Sequence, residues 1–241
     1  MSARLRHYKR KGTTMDNNIR IALTKGRLEK ETLKLFGKMG WDVSQFADKG
    51  RKLIFALTAP GVTDSALNVE IVLAKSPDVI TYVEMGVCDI GVTGKDMIAE
   101  YADDSGNGNY FEVLDLGFGR CKFALIAEKG VDFYKGHSVK TIASKYTNVA
   151  RRFFEKEKKG MCVDIVKIEG SVELAPLLGL ADGIVDIVET GATLKENGLE
   201  VIEDISGISA RVIVNPVKMK MKKSHIELIL KSMENALKGQ G

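Results

Sequence analysis

Short apolar runs alternate along this chain with stretches whose apolar residues recur every three or four positions. Ile19–Leu23, Leu53–Leu57, Val69–Ala74, Asp89–Val92, Lys122–Ala127, Thr141–Ala143, Val163–Ile168, Ile184–Val188 and Arg211–Val214 have the length and content of strands. Leu28, Leu35, Phe36 and Met39 share one helical face, as do Ile226, Ile229, Leu230, Met233 and Leu237. Strands separated by helices predict an α/β protein with largely parallel sheets. The late stripe predicts an amphipathic helix ending near Leu237, packed on its own lobe or offered to a partner.

An internal echo sets the domain count. Asp89-Ile-Gly-Val-Thr-Gly-Lys-Asp-Met97 returns 97 residues later as Asp186-Ile-Val-Glu-Thr-Gly-Ala-Thr-Leu194. Each copy follows a Gly-x-x-Asp turn and precedes an acidic-apolar run and a strand. The echo predicts two related lobes, with the chain crossing between them near 105–112 and 203–211. The expected division is an extension at 1–14, a first lobe from 15–106 and 208–241, and a second lobe at 107–207. Ligands of open sheets sit at the carboxyl ends of strands, so both Thr-Gly turns would line the cleft between the lobes.

Composition and charge narrow the class. The chain has 241 residues, of which 44% are hydrophobic and 28% charged, enough for a sizeable core in a globular protein. No run approaches the ~20 apolar residues of a membrane span, and the N-terminus carries no apolar signal region. Cys88, Cys121 and Cys162 form no C-x-x-C pair. A reduced, cytoplasmic location follows as the expectation. The net charge of +4 misleads: residues 1–14 hold Arg4, Arg6, Lys9, Arg10 and Lys11 and no acid, which leaves −1 from Met15 onward. That body is nearly neutral and argues against a nucleic-acid partner. Met15, followed by Asp-Asn-Asn and a strand, reads as the true start, with 1–14 a disordered extension.

The candidate chemistry lies at strand ends. Thr190, Gly191, Ala192, Thr193 and Leu194 follow an apolar strand and open a helix. Such a turn presents bare N–H groups and two hydroxyls, the means of holding a phosphate; it is also an ordinary helix N-cap. Asp186 and Glu189 sit just before it, and carboxylates accept ribose hydroxyls while repelling phosphate. Together they favour a phosphorylated sugar. Lys25-Gly26-Arg27 follows the first strand, and cations there oppose the helix dipole unless an anion joins them. Arg51 and Lys75 supply two further cationic points, and Glu169-Gly170-Ser171 with Glu173 forms the matching turn of the second lobe. Thr93-Gly94 lacks the upstream glycine of a P-loop. His7, His137 and His225 are isolated, so any metal would come with substrate phosphates.

These residues carry a resemblance. Ile21-Ala-Leu-Thr-Lys-Gly-Arg-Leu28, Asp89-Ile-Gly-Val-Thr-Gly-Lys-Asp96, Glu169-Gly-Ser-Val-Glu-Leu-Ala-Pro176 and the run from Gly179 to Leu199 resemble the short form of the ATP phosphoribosyltransferase family, from about Met15 to the C-terminus. The resemblance implies a two-lobed periplasmic-binding-protein type II fold, with a sheet in each lobe and a cleft between them. It implies transfer of phosphoribose from phosphoribosyl pyrophosphate to N1 of ATP's adenine, the first step of histidine biosynthesis. Asp186 to Leu194, with Glu169, Gly170, Ser171 and Glu173, would hold the phosphoribose. Lys25, Gly26, Arg27, Arg51, Lys75, Thr93 and Gly94 would face the pyrophosphate and ATP, with Mg²⁺ bound through the phosphates. Lys75 stands where relatives often carry arginine, which removes a bidentate donor. A regulatory partner resembling histidyl-tRNA synthetase is also implied, and a homo-oligomer, with a dimer as its simplest form, is the expected assembly. The alternative is a non-catalytic cytosolic module of the same fold that closes on a small anion.

Overall fold

The computed structural model describes residues 18–59, 67–102, 108–136, 139–158 and 161–239; the extension expected at 1–14 lies outside them. In chain order the elements are β1 (Ile19–Thr24), α1 (Arg27–Lys38), β2 (Ile54–Ala59), β3 (Leu67–Ala74), α2 (Ser76–Glu84), β4 (Ile90–Gly94), α3 (Lys95–Tyr101), β5 (Phe111–Asp115) and β6 (Cys121–Glu128). They continue with β7 (Lys140–Ser144), α4 (Thr147–Arg152), β8 (Val163–Lys167), α5 (Leu174–Leu177), β9 (Gly183–Val188), α6 (Ala192–Glu196), β10 (Leu199–Ile208), β11 (Ala210–Val214), α7 (Pro216–Met221) and α8 (Lys223–Lys238).

Two sheets result. The first runs β2-β3-β1-β4-β11-β5 and the second β10-β6-β9-β7-β8. Read from opposite edges, β3-β1-β4-β11-β5 and β8-β7-β9-β6-β10 have the same plan: three parallel strands, then a crossing strand, then an edge strand. The strand that crosses comes from the other half of the chain. β6 leaves the first half to pair antiparallel with β9, and β11 leaves the second half to pair antiparallel with β4. The sheets are therefore mixed rather than largely parallel, because each crossing strand enters its sheet from the far end.

This exchange also moves one boundary. The sequence places residues 107 onward in the second lobe, but β5 pairs with β11 in the first sheet. The chain leaves that sheet between Asp115 and Cys121, and returns to it at Ser209. The two crossings are stitched to each other by Leu116 N–H to Ala210 C=O at 2.9 Å and Ala210 N–H to Phe118 C=O at 2.9 Å. Ser209 Oγ adds a bond to Asp115 Oδ1 at 2.7 Å.

The cores follow the strand alternation. Ile19, Ile21 and Leu23 of β1 and Val212 and Val214 of β11 face α1 and α8, where Leu35, Phe36, Ile226, Ile229 and Met233 are buried. Burying each such side chain contributes about 1.5–3 kcal/mol, so the stripe of α8 is used by its own lobe. The opposite face carries Ala22, Ala74 and Ile213 and meets α2, α3 and the second lobe. Asp89, buried beneath β1, accepts Arg20 N–H at 2.7 Å and pairs with Lys222 at 3.1 Å, which pins the start of α8 to the sheet.

Candidate active site

The carboxyl edge of the first sheet gathers the cationic points. Thr24 and Ala74 are register partners, so Lys25 and Lys75 leave adjacent strands side by side. Lys25 N–H closes this corner on Ala74 C=O at 2.9 Å. β2 runs antiparallel to β3, which brings its leading segment, with Arg51, to the same edge. Arg27 opens α1 beside them, and all four side chains are exposed. Among the described residues, only Arg27 of the four makes an ion pair: its Nη1 meets Glu189 Oε2 across the cleft. Hydrogen bonding to Glu189, then its charge, raises the Arg27 pKa further.

The second sheet contributes the turn from Thr190 to Leu194. β9 ends at Val188, Glu189 and Thr190 bend, and Gly191 takes φ +72° before α6 begins. That angle lies in the left-handed region, which a side chain would strain. Thr190 Oγ1 accepts Ala192 N–H at 3.4 Å, while the N–H groups of Gly191, Thr193 and Leu194 have no acceptor among the described residues. Leu194 is 7% exposed and anchors the short helix in the core, so it offers the cleft only its backbone. Thr193 is exposed.

Acids flank the turn. Asp186 sits on β9 opposite Ala124, and burial pushes its carboxyl above the ordinary range; the charge of Glu173 adds to this, and Ile187 N–H and Lys145 offset part of it. Glu169 and Ser171 are exposed, and Glu169 pairs with Lys167 at 2.7 Å, which lowers its pKa. Gly170 is exposed, and a Cβ there would meet nothing within 4 Å.

Thr93 and Gly94 close β4 beside β1. Thr93 is fully buried, and its Oγ1 has no partner among the described residues. A Cβ on Gly94 would fall 1.9 Å from Asp96 Oδ1, so the glycine makes room for a carboxylate that folds back over it. That carboxylate accepts a bond from Tyr146 Oη at 3.3 Å, joining the start of α3 to the second lobe. Burial raises the pKa of both Asp96 and Tyr146, the latter helped by the charges of Asp96 and Asp186. Cys121, at the crossing, is pushed up to about 11 by burial and by the charges of Asp96 and Glu189.

The lobes also cap each other. Glu100 at the end of α3 accepts the N–H groups of Asn148 and Val149 at the start of α4, at 3.0 and 3.1 Å. Arg152 of α4 returns a bond to the carbonyl of Ala99. A cavity of about 350 Å³ opens beside this joint, with Glu100, Lys145, Tyr146, Asn148, Lys167 and Glu169 in its wall. Lys145, Tyr146 and Asp96 are the cleft residues that sequence reasoning missed. A signal existed for Lys145: Ala143-Ser-Lys145 follows β7 much as Ala74-Lys75 follows β3.

Comparison with known proteins gives this cleft a family. The ATP phosphoribosyltransferase (HisG) family profile matches residues 75–235. An ATP phosphoribosyltransferase of Clostridium kluyveri is 55% identical over 219 residues, 91% of this chain and 94% of the relative. A solved structure of an ATP phosphoribosyl transferase (HisG:HisZ) complex from Thermotoga maritima superimposes with a TM-score of 0.74 at 30% identity, covering 92% of this chain and all of that one. The periplasmic aliphatic sulphonate binding protein SsuA of Escherichia coli shares the fold at a TM-score of 0.56 and 12% identity, over 91% of this chain and 72% of its own. The architecture is thus the two-lobed periplasmic-binding-protein type II fold, and the chain belongs to the ATP phosphoribosyltransferase family.

Proposed function

We propose that this protein transfers the 5-phosphoribosyl group of phosphoribosyl pyrophosphate to N1 of ATP's adenine. The C–N bond forms at the anomeric carbon as its bond to pyrophosphate oxygen breaks, and the electron pair leaves with pyrophosphate. The observation that carries this reading is the pairing of two unlike edges across one cleft. One edge offers phosphate donors beside carboxylates, from Asp186 to Leu194; the other offers Lys25, Arg27, Arg51 and Lys75. A single small anion would need one of these edges; a phosphoribosyl donor with a polyanionic leaving group uses both.

In this reading the free N–H groups and hydroxyls of Thr190 to Thr193 grip the 5′-phosphate. Asp186 and Glu169 hold ribose hydroxyls, and Gly170, Ser171 and Glu173 complete that wall. Arg51, Lys25 and Lys75 act on the leaving pyrophosphate, with Gly26 and Arg27 beside them and Thr93-Gly94 flooring the ATP side. Mg²⁺ bound through the substrate phosphates would offset part of their charge, beside Lys25, Arg51 and Lys75. The two lobes, divided at the crossings, act as the units that close on substrate. The protein works in the cytoplasm as a homo-oligomer, a dimer in the simplest form. A HisZ-type partner resembling histidyl-tRNA synthetase supplies regulation; the HisG:HisZ complex from Thermotoga maritima supports this pairing.

The test mixes the chain with ATP, phosphoribosyl pyrophosphate and Mg²⁺, with and without a HisZ-type partner, and follows adenine absorbance and pyrophosphate release. Both signals should rise together. Tight phosphoribosyl pyrophosphate binding with no turnover, even with the partner, would make the chain a binding module instead.

A further inference from the structure

Glu29 is a buried carboxylate that the proposed chemistry does not touch. It is 3% exposed and stands at the third position of α1. Its two oxygens go to different loops. Oε2 accepts Gly26 N–H at 3.2 Å. Oε1 is paired with Lys49 Nζ. Lys49 in turn opens the turn Lys49-Gly50-Arg51-Lys52, closed by Lys52 N–H to Lys49 C=O at 2.9 Å. Among the described residues no other hydrogen bond or ion pair joins the 25–27 loop to this turn.

A helix start does not require this arrangement. A serine or aspartate at the N-cap satisfies a first-turn N–H without burying a charge. Here Gly26 holds the cap position and has no side chain, so Glu29 reaches back alone and keeps an oxygen for a second donor. An ionised carboxylate taken from water needs a cation, and Lys49, whose side chain is 39% exposed, supplies it from the neighbouring loop. The outcome is one fixed point between two loops. Arg27 leaves the chain one residue after Gly26, and Arg51 leaves it two residues after Lys49. Arg27, at the start of α1, and Arg51, in its turn, are long exposed side chains, and this fixed point ties together the backbones that carry them.

We propose that Glu29, through Lys49, is a positioning residue that sets the spacing of Arg27 and Arg51 for a pyrophosphate group. This rests on the function proposed above, in which those arginines meet the leaving group. Misplacement by about an ångström in such a site can cost on the order of 100-fold in rate.

The experiment titrates pyrophosphate with Mg²⁺ into the full chain by calorimetry and measures steady-state turnover alongside. Glu29→Gln and Lys49→Met should each weaken pyrophosphate binding by about tenfold, the scale of one charge-assisted hydrogen bond. They should lower kcat more than they raise the KM of ATP. Lys49→Arg should restore most of the loss. Arg51→Ala should cost less affinity in the Glu29→Gln background than in the wild type, because a misplaced guanidinium has less to lose. Lys49 is half-exposed, so its variants keep the test open if Glu29→Gln folds poorly. If Arg51→Ala costs the same in both backgrounds, or if melting temperature falls while pyrophosphate affinity holds, Glu29 serves only the fold and the inference is overturned. A wild-type chain that binds no pyrophosphate overturns the proposed function and this inference with it. A wild type that binds pyrophosphate without turnover rejects the reaction alone, and the calorimetric cycle still decides on Glu29.

Discussion

Thr93-Gly94 and Thr190-Gly191 are the two halves of one sequence echo, and the molecule builds them differently. In the first sheet the strand carries on through both residues: Gly94 pairs with Ala210, and Lys95 N–H reaches Ser209 C=O at 2.9 Å. In the second sheet β9 ends at Val188, two residues before the Gly191 turn, because its neighbour β6 begins at Cys121 and its pairing with β9 ends at Lys122 opposite Val188. A strand extends only as far as a neighbour can take its N–H and C=O groups. The same Thr-Gly pair therefore gives a buried strand end on one side and, on the other, an exposed turn whose N–H groups are unbonded among the described residues. The motif marks a place where chain direction changes; the adjacent strand decides whether that place can hold a ligand.

The largest test of this contrast changes the two glycines. Gly191→Val forces a β-branched residue into φ +72°, at about 1–2 kcal/mol of backbone strain, and reshapes the donor turn. Phosphoribosyl pyrophosphate affinity should fall by about 100-fold or more, which corresponds to about 2.7 kcal/mol. Gly94→Ala has an ordinary φ of −79° and displaces only the Asp96 carboxylate. Its affinity loss should stay within about tenfold, the scale of one hydrogen bond to a charged group. Calorimetry on both variants decides; equal losses would mean that the two turns serve the ligand alike.

Asp186 sharpens the comparison through pH. Its folded pKa is raised, so the ionised form destabilises the folded protein, and that cost is present at neutral pH. It vanishes as pH falls below the unfolded carboxylate range, where Asp186 is protonated in both states. Asp186→Asn should therefore raise the melting temperature at pH 7 and leave it unchanged near pH 3. Its kcat/KM should fall by roughly 10–100-fold, the scale of a lost charge-assisted hydrogen bond to ribose. Asp96 on the first-lobe side has a pKa raised by the same cause, but it holds Tyr146, so Asp96→Asn should gain less stability. Melting curves at the two pH values, with turnover at pH 7, read both effects.

Threonine substitutions give a smaller effect of opposite sign in the two turns. Thr193→Ala removes an exposed hydroxyl; phosphate affinity should drop about tenfold while stability stays within about 0.5 kcal/mol. Thr93→Val replaces a buried hydroxyl that has no partner among the described residues by a methyl group, which should stabilise the protein by about 1 kcal/mol. Denaturant melts and phosphoribosyl pyrophosphate titrations separate the two. A stability loss in Thr93→Val would mean that the hydroxyl has a partner, such as bound water, in solution.

Much of the fold is legible in the amino-acid sequence. The exposed cations at the strand ends and the glycine turn after β9 follow from the apolar runs and what stands just beyond them, and the two-lobed plan follows from the internal echo. What escaped has physical causes. Phe111–Asp115 and Leu199–Ile208 are edge strands, so one side of each faces water and carries Glu112, Glu200 and Glu203, which hides a strand period behind acids. The antiparallel entries of β6 and β11 depend on exchange between halves, which no local pattern encodes. Asp96 and Tyr146 lie 50 residues apart and meet only when the lobes dock. Glu29 reads as a solvated helix acid until Lys49 is seen against it.

The smallest expected effect lies in the Arg27–Glu189 ion pair, which spans the two edges. Arg27 and Glu189 have side chains 59% and 49% exposed, so water and salt screen them, and the pair contributes no more than about 1 kcal/mol. Glu189→Gln should leave the melting temperature nearly unchanged. Binding involves two opposed changes. The glutamine keeps an oxygen that can accept a ribose hydroxyl, and Arg27 is released to meet an incoming anion. Pyrophosphate affinity should therefore rise modestly, by about two- to threefold at low salt, and the gain should fade as salt is added because both forms are then screened. Calorimetry over a salt series measures this directly. A loss of affinity at every salt concentration would show that Glu189 holds the ligand rather than competing for Arg27, and would move it from the latch between the edges to the ribose wall beside Asp186.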